Sequence, residues 1–568
     1  MHYVGSLLEN IEHCWACTIH KCIVGDSLVL SESGLRQIRE VCGMDVRPGG
    51  LKAIDVSLFG RDGFSRATQA FRSMVEPSVR IETSRGYDLE GSHRHPVLIW
   101  NPDTLMEEFR LLPDIRIGDI AVIQRDQGVF SEDYVRVRYQ MGAGAQPGRR
   151  KNVNSYPPVV DERVGELMGY LVGDGSYAKS RAYDIGLTTA DISVADRFSH
   201  LVKEMFGGEV KLNSSTAERS ARSYYYIDAT CREWLAAADL DYLSCRKKAV
   251  PTSILSSPRS VQSAFLRALF DADGSASGSG TRVVLSTSSG NIASDVHMML
   301  LNMGIVARRI PVPSTNSFRV ELYGGETVKF RDLIGFGLAH KMASLDSIVA
   351  RSESKLGKTN IDYIPGIERL IPDLKREILD RMGDTRFVNG SVPKECYRLM
   401  SSLMRGGRSG GTKHVSFSHL RQLIDSLFGA LEWAPDLPTL QRMVSVMERH
   451  YFFDPIVSVD HKEAEMYDVS VPDGENFFSN GFISHNSQGS EFPVGIIVMH
   501  PSHSRMLRRN LLYTGITRCT ERAVILGRMS AVQQAVEDDR EQSRGTSLAE
   551  RIRDLDRVLL DAPNPLGR

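Results

Sequence analysis

The stretch that decides the fold occurs twice: residues 167–178 read LMGYLVGDGSYA and residues 265–277 read FLRALFDADGSAS, each carrying an apolar run to an acid, Asp174 and Asp273. After each comes a short β-type segment, DIGLTTAD at 184–191 and RVVLSTSS at 282–289, and then an amphipathic helical pattern. The apolar positions of the first pattern are Val194, Phe198, Leu201, Val202 and Met205; those of the second are Ile292, Val296, Met299, Leu300 and Met303. An offset of 98 carries one set onto the other and 99 carries Asp174 onto Asp273. The spacing therefore predicts a duplicated helix-strand-helix unit.

Small residues give the two acid-bearing helices a way to meet. Gly169 and Gly173 in one, and Ala268 and Ala272 in the other, allow backbone-to-backbone packing that larger side chains block. Two carboxylates then sit side by side at negative helix ends, an unfavourable placement unless divalent cations fill the gap. Oxygen-only ligands favour magnesium (Mg2+). Taken singly, each Asp also suits the first position of an Asp-Gly turn; the duplication is what argues for the metal. These segments resemble the two signature motifs of a single-chain LAGLIDADG (DOD-type) homing endonuclease, over about residues 158–345. The resemblance implies an α/β domain of two pseudo-symmetric halves astride a double-stranded DNA target, acting as a monomer. It also implies that Asp174 and Asp273 bind metal for phosphodiester hydrolysis, and that a lysine after each motif assists. Lys248, in CRKKAVPTSIL, matches the first by its place before Pro251, and Lys341, in LAHKMASLD, is the looser match to the second.

The flanks are of a different kind. CIVGDSLVL at 22–30, YDLEGSHRHPVLIW at 87–100 and IGDIAVIQRDQGVF at 117–130 are short β-type runs with Gly and Asp turns, and MYDVSVPDGENFFSNGFISHNS begins at residue 466. These runs resemble the splicing blocks of inteins, in which an all-β Hint-type domain is interrupted by an endonuclease. Cys22 at one boundary and His485-Asn486-Ser487 at the other carry the likeness.

The chemistry accounts for those residue types. A thiol at Cys22 attacks the Lys21 carbonyl, exchanging an amide for a thioester. The Ser487 hydroxyl takes over the acyl group, Asn486 cyclises and releases its bond to Ser487, and an acyl shift leaves Lys21 joined to Ser487. No cofactor is needed for splicing. By resemblance, His95 protonates the leaving amide nitrogen of Cys22 and His485 assists the cyclisation. Ser92 stands three residues before His95 where the family usually has Thr, and keeps the hydroxyl. Glu475 stands where many inteins carry a His, and Asp468 in YDV matches the family's Asp and supplies part of that support.

Residues 22–486 number 465 and leave 103 of the 568. Joined, the remainder reads CTIHK-SQGSEFPVGIIVMH, two half-motifs that become one, and RNLLYTGITRCTERAVILG follows at 509–527. This resembles superfamily-one helicases, RecD-like ones in particular, and implies that Arg518 contacts an ATP γ-phosphate. The only GKT, at 357–359, has Ser352 where a P-loop needs its first glycine and falls inside the intein. ATP is thus expected only in an assembled helicase, whose other part is either a separate polypeptide or lost from the gene.

The expected domains are 1–21 (N-extein), 22–150 (splicing domain, first part), 158–345 (endonuclease), 346–450 (helical linker or accessory region), 451–486 (splicing domain, second part) and 487–568 (C-extein). In 346–450 the helical pattern Leu420, Leu423, Ile424, Leu427, Phe428 and the basic loop MRGGRSGGTKH stand out. A flexible linker is preferred for the loop to DNA contact by Arg405, Arg408 and Lys413. A net charge of −1 from 69 basic and 70 acidic residues requires any nucleic-acid contact to be a local basic patch. No apolar run approaches the ~18 residues of a membrane span, and the eight cysteines are irregularly spaced; a cytoplasmic, reduced protein is expected. Cys14 and Cys17 form the one CxxC, read as two buried strand cysteines in preference to a zinc or redox pair. Two other readings stay open: an active endonuclease with decayed splicing, and an ATP-dependent helicase subunit.

Overall fold

The computed structural model describes residues 21–61, 63–139, 156–176, 184–213, 216, 219–240, 244–277, 280–353, 362–383, 394–405, 415–471, 476–485, 492–503, 507, 512, 515–516 and 519–538. The chain divides into two compact units, one ending at Gln488 and the other beginning at Gly489.

The first unit is built on a fourteen-stranded sheet whose strands come from opposite ends of the sequence. Ile23–Val24 lies between Asp88–Ser92 and Met466–Ser470, with Ile23 opposite both Tyr467 and Gly91. Ile120–Gln124 pairs with Tyr451–Ala464, and Pro96–Asn101 with Phe482–His485. Every pairing is antiparallel, and the inward residues Ile23, Val29, Ile81, Leu89, Val97, Ile99, Val122, Phe453, Phe477 and Phe482 are buried. This strand-by-strand alternation lets one face shed water while the backbone groups satisfy one another across the ladder. More than three hundred residues separate the two contributing segments, and the intervening chain adds further elements to the same compact unit.

That insert contains the duplicated unit. Glu162–Gly173 and Arg259–Asp273 are the acid-bearing helices, and each leads into a four-stranded sheet of the same topology. Asp191 and Ser289, 98 positions apart, cap the two following helices, Ile192–Phe206 and Gly290–Asn302, by accepting backbone N–H bonds. Met303, expected inside the second helix, sits just past its last turn and is buried there. The insert is keyed to the sheet: the Tyr87 ring stacks on His297 at 4.1 Å, Arg309 pairs with Asp88, and the Asn302 amide bonds both backbone groups of Val129.

Residues 346–450 are largely helical where they are described. Leu370–Met382, Lys394–Arg405, Phe417–Ala430 and Pro438–Glu448 are helices enclosing Leu374, Ile378, Met400, Leu420, Leu423, Leu427, Leu440 and Met443. Phe428, counted in the apolar pattern, is exposed. Trp100 Nε1 donates to the Pro365 carbonyl at 2.8 Å and Arg125 pairs with Asp362 at 2.7 Å, fastening this bundle to the sheet. Arg408, Lys413 and the side chain of Arg405 lie outside the described residues, as do Cys14, Cys17, the GKT at 357–359 and Glu475.

The second unit pairs Phe492–Met499 with Cys519–Gly527 in parallel and follows with the helix Met529–Glu537. No described helix is long and apolar enough to cross a membrane.

Candidate functional site

Two sites take shape, one in the sheet and one between the paired helices. In the sheet, the antiparallel register that sets Ile23 opposite Tyr467 and Val24 opposite Met466 brings Cys22 against Asp468. Cys22 is fully buried, its carbonyl accepts the Ser92 N–H at 2.9 Å, and a turn closed by His95 N–H on the Ser92 carbonyl aims the buried His95 ring inward. His95 Nδ1 lies 2.6 Å from the Lys21 carbonyl oxygen and Nε2 lies 3.0 Å from Ser484 Oγ. Lys21 N–H donates to Asp468 Oδ2 at 3.2 Å, and Lys21 Nζ is 3.0 Å from His485 Nδ1.

These contacts fix protonation. Burial pushes the His95 pKa down to about 4, outweighing the opposing pull of the Lys21 carbonyl and Asp468, so the ring is neutral at pH 7. A carbonyl oxygen only accepts, so the single ring proton sits on Nδ1 and Nε2 accepts from Ser484. The sequence reading gave that proton to the Cys22 nitrogen; in the structure it points at the Lys21 oxygen. Burial, with Asp468 next, pushes the Cys22 thiol well above its ordinary range, which keeps it protonated at rest. Gly91 permits the close approach, since a Cβ there would lie 2.8 Å from the Cys22 carbonyl and 3.2 Å from His95 Cβ.

Cys22, Ser92, His95, Asp468 and His485 are therefore brought together, while Asn486 and Ser487 lie outside the described residues, as does Arg518. Ser484, Ser479 behind it at 2.5 Å, and Cys42, whose thiol points at the Asp468 carbonyl at 3.6 Å, went unremarked in the sequence. Ser484 sits one residue before His485, so strand alternation puts the two on opposite faces, but nothing in the sequence marks His95 as its partner.

In the insert, the acid-bearing helices touch through their small residues. A Cβ on Gly165 would meet the Val261 carbonyl oxygen at 2.8 Å, one on Gly169 the Ala268 Cβ at 2.8 Å, and one on Gly173 the Ala272 Cβ at 2.7 Å. Asp174 and Asp273 follow side by side. Burial, then the charge of Asp174, drives the Asp273 pKa up to about 7; burial also raises Asp174, with Lys341 and Lys248 pulling it down.

The lysines are symmetric. Lys248 Nζ donates to the carbonyls of Leu171, Val172, Gly173 and Gly175 at 2.8–3.3 Å, and Lys341 Nζ to those of Phe270, Asp271 and Gly274 at 2.5–3.2 Å. Leu171, Val172 and Gly175 are carried onto Phe270, Asp271 and Gly274 by the same offset of 99. Each ammonium thus caps a helix C-terminus beside an acid. The halves differ in Asp271, which accepts the Gly337 and Leu338 N–H groups and has a pKa raised by burial to about 6.

The donor set at the acid pair is all oxygen and its mutual repulsion is relieved by a cation, which fits a hard divalent ion. No group of three or more His, Cys, Asp or Glu converges among the described residues, so an ion held by this pair would complete its coordination with other oxygen ligands. Asp174 and Asp273 are the residues that would hold the ion.

Residues 260–335 match the LAGLIDADG-like domain family and residues 484–526 the UvrD-like helicase C-terminal domain family. The chain is 26% identical over 503 residues to the replicative DNA helicase DnaB of Nostoc sp., covering 82% of this chain and 49% of that protein. It is 25% identical over 495 residues to a DNA gyrase subunit of Mycolicibacterium flavescens, covering 84% and 78%. The chain thus spans about half the length of the first relative. Among solved structures, I-DmoI in complex with DNA and Mn aligns to 31% of this chain and 97% of its own length, at 13% identity and a TM-score of 0.24.

Proposed function

We propose that the chain is a self-splicing intein precursor that excises residues 22–486 and joins Lys21 to Ser487, with a DNA homing endonuclease embedded in it. The observation that carries this reading is the sheet assembled from residues 23–124 and 451–485, which sets the Lys21–Cys22 bond under His95 with His485 alongside. In the first step the Cys22 sulfur bonds to the Lys21 carbonyl carbon, the carbon–nitrogen bond breaks, and the thiol proton is transferred so that the Cys22 nitrogen leaves as an amine. His95 Nδ1–H stabilises the oxyanion formed on the way, an electrostatic contribution worth about 10²–10³ in rate where one such donor is removed. Asp468, bonded to Lys21 N–H and across the strand pair from Cys22, takes the thiol proton. Ser487 then accepts the acyl group and Asn486 cyclises, with His485 as its proton carrier. Two relatives named for different enzymes, a helicase and a gyrase, each match more than four-fifths of this chain; a shared insert accounts for that better than either enzyme does.

The insert is the nuclease: Asp174 and Asp273 would hold Mg2+, which would polarise the scissile phosphate and activate water, over a double-stranded DNA target bound by a monomer. Lys248 and Lys341 keep the two helix ends neutral and the acids in place. The residues outside the intein belong to the C-terminal part of a RecD-like helicase, which binds ATP only as an assembled enzyme.

Intact mass after incubation of the full chain under reducing conditions tests the splicing reading. A 465-residue species with a 103-residue ligated species, both absent from a Cys22→Ala, Asn486→Ala control, is the expected result. Persistence of the 63.2 kDa precursor alone overturns it and leaves the nuclease as the surviving activity.

A further inference from the structure

Lys21 contributes its carbonyl to the first cleavage, but the chemistry above gives its side chain no part. That side chain is buried, with the whole residue 7% exposed, and its ammonium reaches the junction at the other end of the intein. We propose that Lys21 is a positioning residue that holds the second junction inactive until the first has reacted, by tying up His485; this rests on the splicing reading.

An ammonium has donors and no acceptor, so in the 3.0 Å contact Nζ donates and His485 Nδ1 accepts, leaving the ring proton on Nε2. Phe109, edge-on to the ring at 4.9 Å, limits its rotation. Cyclisation forms a bond from the Asn486 side-chain nitrogen to its own carbonyl carbon and breaks the peptide bond to Ser487. The attacking nitrogen gives up a proton and the Ser487 nitrogen gains one. While Lys21 occupies Nδ1, that lone pair cannot take the proton.

The lock is held by the unreacted first junction. Lys21 is pinned at N–H by Asp468 and at its carbonyl by His95, which fixes where its side chain reaches. Transfer of the acyl group to the Cys22 sulfur and then to the Ser487 oxygen moves that carbonyl away from its pins and takes the ammonium off His485. The order of the two cleavages is thereby enforced by the residue that precedes the nucleophile.

Cys22→Ala blocks the first step, so any release of residues 487–568 from it is premature cyclisation. The experiment times release of that 82-residue fragment from full-length Cys22→Ala, Cys22→Ala with Lys21→Met, and Cys22→Ala with Lys21→Arg, beside the unaltered chain. Lys21→Met, which keeps the length and loses the donor, should speed release roughly tenfold, and Lys21→Arg, which keeps a donor, should return it toward the Cys22→Ala rate. Release that is no faster with Met, or equally fast with Met and Arg, overturns the proposal even if the unaltered chain splices. Absence of ligated product and fragment from every chain overturns the splicing reading, and this inference with it.

Discussion

Asp273→Asn should stabilise the metal-free insert, and by more at pH 8 than at pH 5. The Asp273 carboxyl is raised from 3.8 to about 7 by burial and by Asp174. A carboxyl raised in the folded state binds protons more tightly there than in the unfolded chain, so its contribution is most favourable below about pH 4 and is lost as pH rises through about 7. At about 1.4 kcal/mol per unit, the folded state bears a cost on the order of 2 kcal/mol at pH 5 and on the order of 4 kcal/mol at pH 8. Asparagine, nearly isosteric and uncharged, removes both, so the gain in stability should differ by roughly 2 to 3 kcal/mol between the two pH values. For a region of this size that corresponds to roughly 5 to 10 °C in the difference between the two Tm shifts. Thermal unfolding of the full chain in EDTA, followed by hydrogen exchange in the Arg259–Asp273 helix, measures it. Millimolar Mg2+ should reverse the ranking at pH 8, because the cation binds the ionised pair and the variant offers half of it. An equal gain at both pH values, or no response to Mg2+, refutes the argument that two ionised carboxylates face each other there.

Gly91→Ala places a Cβ 2.8 Å from the Cys22 carbonyl; overpacking of about 1–3 kcal/mol is expected, and thiol-induced cleavage at Cys22 should slow at least tenfold while DNA cutting is retained. Gly169→Val should drive the acid-bearing helices apart at Ala268, abolishing plasmid cutting and leaving the yield of ligated product intact by mass. Lys248→Met and Lys341→Met each uncap a helix end; the two should reduce cutting to a similar extent in a cleavage assay, despite their unequal likeness in sequence.

The duplicated helices were legible because their chemistry is local. Gly169, Gly173, Ala268 and Ala272 advertise a close helix pair within two turns of each acid, and a constant offset is visible without coordinates. Lys341 was the looser match because nothing in LAHKMASLD repeats the Pro251 that follows Lys248, yet both ammonium groups land on equivalent carbonyls. A long side chain reaches its acceptors from more than one backbone position, so spacing along the chain records its role poorly. Ser484 and the Lys21 side chain were missed for a related reason: a serine inside a strand and a lysine before a cysteine carry no mark of the partners they meet some 390 and 464 positions away.

Residue order alone settles the inventory: two acids at a fixed repeat, a cysteine and a His-Asn-Ser triplet at the ends of β-type segments, and a basic–acidic balance that puts any DNA contact in a local patch. It took the folded chain to show that strands from the two ends of 465 residues meet in one sheet, that the His95 proton faces the Lys21 oxygen, and that one lysine reaches from the first junction to His485. The reason is physical: residue type and periodicity fix what each segment buries, while the partner of a buried polar group is chosen by the three-dimensional requirement that every such group be satisfied.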